Sequence, residues 1–270
     1  MLFSTIISVQ YDTPFSAFPA AEWERGLDWV RACGLDAAEL CISHYEGIDL
    51  PRIREELDRR GLACSTLSTG QSRGLEGLSL SGVPREIRER TVERFEQHIR
   101  AAAALGSKVT IGLLRGADGA LPERRRELCE SMLPLVDCAG RHGVTLVLEP
   151  LNRYETSLLN TTAEMLDFIE NDLGAPEHVG ILWDLFHANI EDPDYAEALR
   201  LMGSRLQHVH VADSNRFFPG YGHLDLEGIM RMIRDSGYRE YISFECFNLP
   251  SVEAVRAGTA AWVAQMRRLG

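Results

Sequence analysis

One stretch decides the fold of this chain: Val144-Thr-Leu-Val-Leu-Glu-Pro-Leu-Asn-Arg-Tyr-Glu155. Its aliphatic and β-branched first half is typical of a buried strand, and this strand-like run ends in Glu149. A proline follows at once, and because proline has no backbone N–H the strand must stop there. Three apolar runs further along the chain end in the same way, in Asp184, His210 and Glu245.

The alternation of a strand-like run with a helix-like segment occurs eight times along the chain. Strands are expected at Ser4–Val9, Ala37–Ile42, Leu62–Ser68, Lys108–Leu113, Val144–Glu149, Val179–Asp184, Leu206–Val211 and Tyr241–Cys246. Such alternation, with no linker, predicts parallel strands that close into a single (β/α)₈ barrel domain over residues 1–270. The competing fold, a doubly wound open sheet, usually has a glycine-rich first turn, and no GxGxxG pattern follows the first strand here.

The helices are expected between these strands, and turn signals mark several of their ends. Their expected ranges are Ala20–Cys33, Leu50–Arg60, Pro84–Leu105, Pro122–Arg141, Asp192–Met202, Leu226–Asp235 and Ser251–Arg268. A further helix is expected to begin at the capping box formed by Thr161 and Glu164. The Gly- and Ser-rich segment Thr69–Gly82 is expected to be a loop.

Composition excludes several classes of function. The net charge of −12 argues against nucleic acid and anionic membrane surfaces as main partners. The six cysteines show no CxxC spacing, which predicts reduced thiols in a cytoplasmic protein. We expect no signal peptide, because the first residues lack a basic region and a cleavage site. No apolar run reaches the roughly 18 residues that a membrane span needs.

Glu149, Asp184, His210 and Glu245 are separated by 35, 26 and 35 residues, each about one strand–helix unit. A barrel places the ends of consecutive strands around one mouth, so the four side chains should converge. Two glutamates, an aspartate and a histidine suit a divalent ion such as Mn²⁺, Co²⁺ or Mg²⁺ better than a thiolate-bound structural zinc.

Each of these residues alone has a simpler explanation. An acid at a strand end is often a helix cap or a solvated loop residue, and a histidine in a barrel is often a hydrogen-bonded core residue. Four such coincidences in consecutive units favour a site. His208 lies one layer deeper than His210 and is expected to be a core hydrogen-bonding residue. The remaining histidines are expected at the surface: His44, His98, His142 and His178.

Four motifs carry a resemblance to a known family. They are Leu148-Glu-Pro-Leu-Asn-Arg-Tyr-Glu155, Trp183-Asp-Leu-Phe-His-Ala-Asn189, His208-Val-His-Val-Ala-Asp-Ser-Asn-Arg216 with Pro219-Gly-Tyr-Gly-His223, and Ser243-Phe-Glu-Cys246. In this order they resemble the sugar-phosphate isomerase/epimerase superfamily of xylose isomerase-like TIM barrels. Within it, the chain most resembles the ketose 3-epimerases that act on D-tagatose, D-psicose or L-ribulose. The resemblance covers nearly the whole chain.

The resemblance implies a metal-dependent inversion of C3 of a ketose through a cis-enediolate. It makes Glu149, Asp184, His210 and Glu245 the ligands of a divalent metal, with Mn²⁺ expected first. Glu149 and Glu245 would also be the acid/base pair, one on either face of the carbon that loses and regains its proton. Two carboxylates can supply both the base and the acid that this chemistry needs.

The resemblance also assigns three residues to substrate binding. His187 and Arg216 would hold the oxygens at C1 and C2, and Glu155 would support the same end of the sugar. The simpler alternative is that His187 is a solvated loop residue and Arg216 a salt-bridge partner. The only lysine, Lys108, begins the fourth strand at the opposite end of the barrel, so imine catalysis is not expected.

Other functions remain open on the sequence. An aldose–ketose isomerase of a small sugar or of a hydroxy-keto acid such as hydroxypyruvate would use the same ligands, and a keto-polyol dehydratase would share the first proton abstraction. A DNA-cleaving relative would need more histidines and a basic face, and a binding module would exchange no protons. Arg73 in the loop Gly70–Gly82, or the segment Arg115–Gly119, could bind phosphate, although the acidic balance favours an unphosphorylated sugar. Family analogy predicts a homo-oligomer, either a dimer or a tetramer.

Overall fold

The computed structural model describes residues 1–116 and 121–269 of the chain. Eight parallel strands pair in chain order, and the last pairs with the first to close a barrel. They are β1 (Leu2–Ser8), β2 (Ala37–Cys41), β3 (Ala63–Ser68), β4 (Lys108–Ile111), β5 (Leu146–Leu148), β6 (Val179–Asp184), β7 (Leu206–Val211) and β8 (Tyr241–Phe244). The predicted barrel is therefore confirmed. Each strand begins and ends within two residues of the predicted position.

Helices follow the strands and cover the outside of the barrel. They are α1 (Trp23–Ala32), α2 (Leu50–Arg60), α3 (Gln71–Glu76), α4 (Arg85–Leu105), α5 (Leu121–His142), α6 (Thr162–Asp167), α7 (Leu185–Glu191), α8 (Tyr195–Met202), α9 (Leu226–Asp235) and α10 (Val252–Arg267). The predicted capping box at the start of α6 is present, with Thr161 and Glu164 each satisfying a backbone amide of the other. None of the helices among the described residues is long and apolar enough to cross a membrane.

Two helices were not predicted. The helix α3 lies inside the segment that was expected to be a loop, and α7 follows β6 without any intervening turn. The start of α7 is explained by Asp184, whose carboxylate accepts a hydrogen bond of 2.7 Å from the backbone amide of Phe186. Asp184 is therefore a helix cap as well as the last residue of its strand.

The prediction that His98 lies at the surface is wrong. Its side chain is buried on the inner face of α4, next to Phe95, and its Nδ1 lies 2.8 Å from the hydroxyl of Tyr45. Burial, with the nearby charge of Arg94, lowers the pKa of His98 to about 3, so the ring stays neutral. His98 thus connects α4 to the loop that contains Tyr45, in the layer outside the barrel.

The two ends of the barrel differ in chemistry. At the end where the strands begin, Lys108 pairs with Glu240 at 3.0 Å, and its ammonium also donates to the backbone carbonyl of Gln207. This pairing places the lysine away from the carboxyl ends of the strands, as predicted. The outer face of β6 packs against helices, and Trp183 donates a hydrogen bond of 2.9 Å from its indole to Asp192. The carboxyl ends of the strands are left free to carry the polar site.

Gly180 in β6 tests how tightly the strands pack at the amino end of the barrel. A methyl group there would lie 2.8 Å from the backbone carbonyl oxygen of Arg205, which cannot move away without disturbing β7. We expect Gly180→Ala to lower the free energy of unfolding by about 1–3 kcal/mol. Gly74→Ala is the matched control, because that position in α3 has open space around it. Urea unfolding of both variants checks this, and equal midpoints would show that the barrel absorbs the methyl group.

Candidate metal-binding active site

The barrel ladder brings the four predicted ligands together at its carboxyl end. Asp184 and His210 are directly paired residues of β6 and β7. The backbone amide of Glu149 donates to the carbonyl of the last residue of β4, and that of Glu245 donates to the last residue of β7. The four side chains each offer one donor atom, and these atoms all lie within 4.8 Å of one another. Their convergence follows from strand pairing alone.

Three donor atoms in this cluster are buried and have no hydrogen-bond partner among the described residues. They are Glu149 Oε1, Asp184 Oδ2 and His210 Nδ1. The imidazole nitrogen faces Glu149 Oε1 and Glu245 Oε2 at 3.6 Å each. Leaving such atoms unpaired is costly, and a divalent cation would satisfy all of them at once. Three carboxylates and one imidazole therefore fit a divalent metal in both chemistry and position.

The pKa values of the carboxyl groups diverge. Burial raises the pKa of Glu149 and, together with the charge of Glu245, raises that of Asp184 well above its usual range. Burial opposes ionisation of Glu245 too, but the positive charges of His210 and Arg216 outweigh it and lower the pKa of Glu245. The protein's own cations thus stabilise one carboxylate firmly, and the other two need further positive charge.

Arg216 supplies part of that charge from the loop after β7. Its guanidinium pairs with Glu245 at 2.7 Å and with Glu155 at 2.9 Å. Burial would lower the pKa of Arg216, but Glu245 and Asp184 raise it above its usual range. The backbone of Arg216 has φ of 62°, a conformation that a residue with a side chain rarely adopts. The structure therefore brings Arg216 and Glu155 to the predicted site as an ion pair.

Three aromatic rings surround the guanidinium of Arg216. Its central carbon lies 4.7 Å from the ring centre of Phe15, 5.1 Å from that of Phe186 and 5.8 Å from that of Phe247. Phe15 and Phe247 also stack on each other at 5.2 Å. Aromatic faces attract a cation and exclude water from it, so the rings hold the guanidinium in one orientation.

His187 lies on the other side of the cluster, buried in α7. Its Nδ1 accepts hydrogen bonds from the backbone amide of Asn152 at 3.3 Å and from the side-chain amide of the same residue at 2.8 Å. A backbone amide can only donate, so the proton of the neutral ring lies on Nε2. Nε2 lies 3.8 Å from Asp184 Oδ2 and 4.0 Å from Glu149 Oε1. Burial, with the charge of Arg216, lowers the pKa of His187 to about 3, so it presents a neutral N–H to the site.

Two residues of the site were missed by the sequence analysis. Asn152 stands in the first motif, three residues after Glu149, and only its contact with His187 gives it a role. Glu39 in β2 is fully buried beneath the metal cluster, where it contacts His208 and His210. An acid inside the apolar run Ala37–Ile42 was the available signal. His208 is a buried hydrogen-bonding residue, as expected.

A cavity of about 320 Å³ opens above the cluster. Glu149, Glu155, Arg216 and Glu245 line it together with small polar residues of the β3 and β4 loops, and Arg216 is the one cation among its described lining residues. A wider groove of about 570 Å³ between α4 and α5 has no histidine among its described lining residues and lies away from the strand ends. The chemistry therefore places the site at the smaller cavity.

Gly112, directly after β4, makes room for Glu149, one of the predicted ligands. A methyl group there would lie 2.4 Å from Glu149 Oε2. We expect Gly112→Ala to push this carboxylate aside and to weaken Mn²⁺ binding at least about tenfold, since small displacements in such sites have large effects. Gly70→Ala is the matched control, because Gly70 lines the same cavity but has open space around it. Calorimetric titration with Mn²⁺ checks the pair, and equal affinities would mean that Glu149 is not a ligand.

Comparison with known proteins agrees with the fold and with the motifs. Residues 27–269 match the xylose isomerase-like TIM barrel family. The chain is 30% identical to an L-ribulose 3-epimerase of Mesorhizobium japonicum over 249 residues, covering 90% of this chain and 82% of that one. It is 39% identical to a 3-dehydro-D-guloside 4-epimerase of Escherichia coli over 122 residues, 45% of each chain. A solved L-ribulose 3-epimerase superposes with a TM-score of 0.82 at 27% identity, covering 98% of this chain and 95% of that one.

The family match covers seven of the eight strands, β2 to β8, and all four strand ends that carry the cluster. The comparisons confirm the family that the motifs indicated. The chain belongs to the xylose isomerase-like TIM barrel family.

Proposed function

We propose that the protein is an isomerase: a divalent-metal-dependent epimerase that inverts C3 of an unphosphorylated ketose. The observation that carries this proposal is the convergence of Glu149 and Glu245 on one cavity, in a cluster that holds three buried donor atoms without a hydrogen-bond partner among the described residues. Relatives that are named as 3-epimerases of L-ribulose and D-psicose support it.

Inversion of a carbon next to a carbonyl needs a base on one face and an acid on the other. Glu149 and Glu245 suit this division, because burial raises the pKa of Glu149 whereas the charges of His210 and Arg216 lower that of Glu245 against the effect of burial. Environments that push two carboxyl pKa values apart are typical of acid/base pairs.

Glu149, Asp184, His210 and Glu245 would hold the metal, for which we expect Mn²⁺ first, with Co²⁺ or Mg²⁺ as alternatives. When bound, such an ion supplies positive charge that stabilises the cis-enediolate formed by proton removal. His187 would donate its Nε2–H to the oxygens at C1 and C2, where Arg216 would also bind them. Glu155 would orient Arg216 through their ion pair of 2.9 Å.

The cavity supports a sugar without a phosphate group. Arg216 is already paired with two carboxylates, and no other arginine or lysine is among the described residues that line the cavity. Arg73 instead donates to the carbonyl of Leu113, and Arg115 donates to that of Leu158. The rest of the second predicted phosphate segment, residues 117–119, lies outside the described residues.

Two other reactions stay as alternatives. The E. coli relative, named as a 4-epimerase of a keto-glycoside, favours inversion at C4 of such a sugar as the second candidate. An aldose–ketose isomerase of a small sugar or hydroxy-keto acid would use the same side chains to move a proton between C1 and C2.

We also propose that the whole chain acts as one domain in the cytoplasm. One closed barrel uses strands from Leu2 to Phe244, and all six cysteines are free, as a reducing compartment would keep them. The homo-oligomer stays a prediction from family analogy.

Deuterium incorporation tests the proposed reaction. The Mn²⁺-loaded protein would be incubated in D₂O with fructose, tagatose, psicose, ribulose, hydroxypyruvate and a 3-keto-glucoside, and NMR would locate the label after removal of the metal. Deuterium at C3 of a ketose is expected, with the best substrate labelled first. Label only at C1, only in hydroxypyruvate, or only at C4 of the glucoside would contradict 3-epimerisation and identify the alternative.

The two glutamates should each be essential for proton exchange. We expect Glu149→Gln and Glu245→Gln to lower the exchange rate at C3 by at least about a hundredfold, because an amide cannot serve as base or acid. Glu55→Gln, on the exposed face of α2, is the control and should exchange at the normal rate. Near-normal turnover in either site variant would refute the two-carboxylate mechanism.

Metal removal should abolish activity and reduce stability. Protein treated with EDTA is expected to be inactive and to unfold at a lower temperature, because a ligand that binds only the folded state stabilises it. Addition of Mn²⁺ or Co²⁺ should restore both properties, which a thermal shift assay and the exchange assay would follow together. Full activity in the EDTA-treated protein would show that the reaction does not need a metal.

A further inference from the structure

We infer that Glu39 is a positioning residue that holds His210 in the orientation and tautomer needed to bind the metal. The inference rests on the proposed metal site, but Glu39 belongs to β2, a strand that carries none of the four proposed ligands. Glu39 lies in β2, on the opposite side of the barrel from β6, and its side chain reaches the barrel interior below the ligand cluster.

The contact with His210 defines which nitrogen faces the metal site. Its Nε2 lies 3.1 Å from both carboxylate oxygens of Glu39, so it donates its proton there. Nδ1 of the same ring has no hydrogen-bond partner among the described residues and faces Glu149 and Glu245. A histidine that binds a metal must be neutral, with one N–H and one lone pair. Because Glu39 holds the N–H on Nε2, the lone pair of the metal-binding form lies on Nδ1, where a cation would be bound.

Glu39 itself is held from two other strands. Ser68 at the end of β3 donates its hydroxyl to Oε1, and His208 in β7 donates from Nε2 to Oε2 at 3.1 Å. Glu39 and His208 are fully buried, and a buried carboxylate is tolerated only when it is paired in this way. These contacts fix the carboxylate under His210 and leave it little freedom to turn.

The same three residues could be read as a second metal site, because Glu39, His208 and His210 also offer donor atoms close to one another. The cavity argues against that interpretation. None of the three is among its described lining residues, so an ion there would have no open path. The hydrogen bonds already satisfy Glu39 without a metal.

Glu39→Gln tests the inference with a side chain of nearly the same shape. The amide carries no charge and can donate to Nε2, which favours the wrong tautomer of His210. We expect Mn²⁺ affinity, measured by calorimetric titration without any sugar, to fall 10- to 100-fold, in line with the effect of losing the partner of a metal-binding histidine. Ser68→Ala, which removes one donor to Glu39, should weaken binding in the same direction by a smaller factor.

His98→Asn is the matched control, because it removes an equally buried histidine that lies in α4, outside the barrel, where it contacts Tyr45 and neither Glu39 nor His210. It is expected to lower the melting temperature while changing Mn²⁺ affinity less than about threefold. If Glu39→Gln and His98→Asn lower stability alike and leave metal affinity unchanged, Glu39 is only structural. Two ions per wild-type chain and one in Glu39→Gln would replace the inference with a second metal site.

A measurement on the unaltered protein remains decisive if the variants do not fold. Imidazole ¹⁵N spectra of the Mg²⁺-loaded protein should show the proton of His210 on Nε2, and a proton on Nδ1 would overturn the inference. Failure of the wild-type protein to bind any divalent ion would overturn the proposed metal site together with the role of Glu39. Normal metal binding without any sugar epimerisation would overturn only the proposed function.

Discussion

Three largely buried carboxyl groups lie close together at the mouth of this barrel, and the residues around them supply part of the positive charge that stabilises them. Closure of eight strands leaves Glu149, Asp184 and Glu245 no freedom to separate, because each is fixed by backbone hydrogen bonds to a neighbouring strand. Burial raises the pKa of the first two, so they cannot all ionise without a cation. The fold therefore concentrates negative charge at this point, and a divalent metal would neutralise it.

The arginine and the two histidines around these carboxyl groups are each oriented by a further contact. Arg216 is oriented by Glu155 and by three aromatic rings, and His210 by Glu39. His187, kept neutral by burial, is oriented by Asn152. These outer contacts determine which atoms face the cavity, since an imidazole or a guanidinium can be turned in several ways. Rigid placement of this kind is what allows a site to act on one carbon of a sugar.

Sequence alone predicted the parts of this arrangement that depend on local pattern. The bounds of β6, β7 and α9 were predicted correctly, and the four residues of the candidate metal cluster could be found because each stands at a strand end. Glu39 could not be assigned, because its partner His208 lies 169 residues away and no local pattern reports contacts across a barrel. His98 was misplaced for a related reason, because its burial depends on Tyr45 in a distant loop. The start of α7 was missed because Asp184 was assigned only as a metal ligand at a strand end and not also as the N-cap of a helix.

The location of the bound metal tests the account most directly. Crystals soaked in Mn²⁺ would be measured near the manganese absorption edge, so that anomalous scattering marks the ion independently of any assumption about its ligands. The account predicts one strong peak per chain within bonding distance of Glu149, Asp184, His210 Nδ1 and Glu245. No peak there, or a peak between Glu39 and His208 instead, would contradict it.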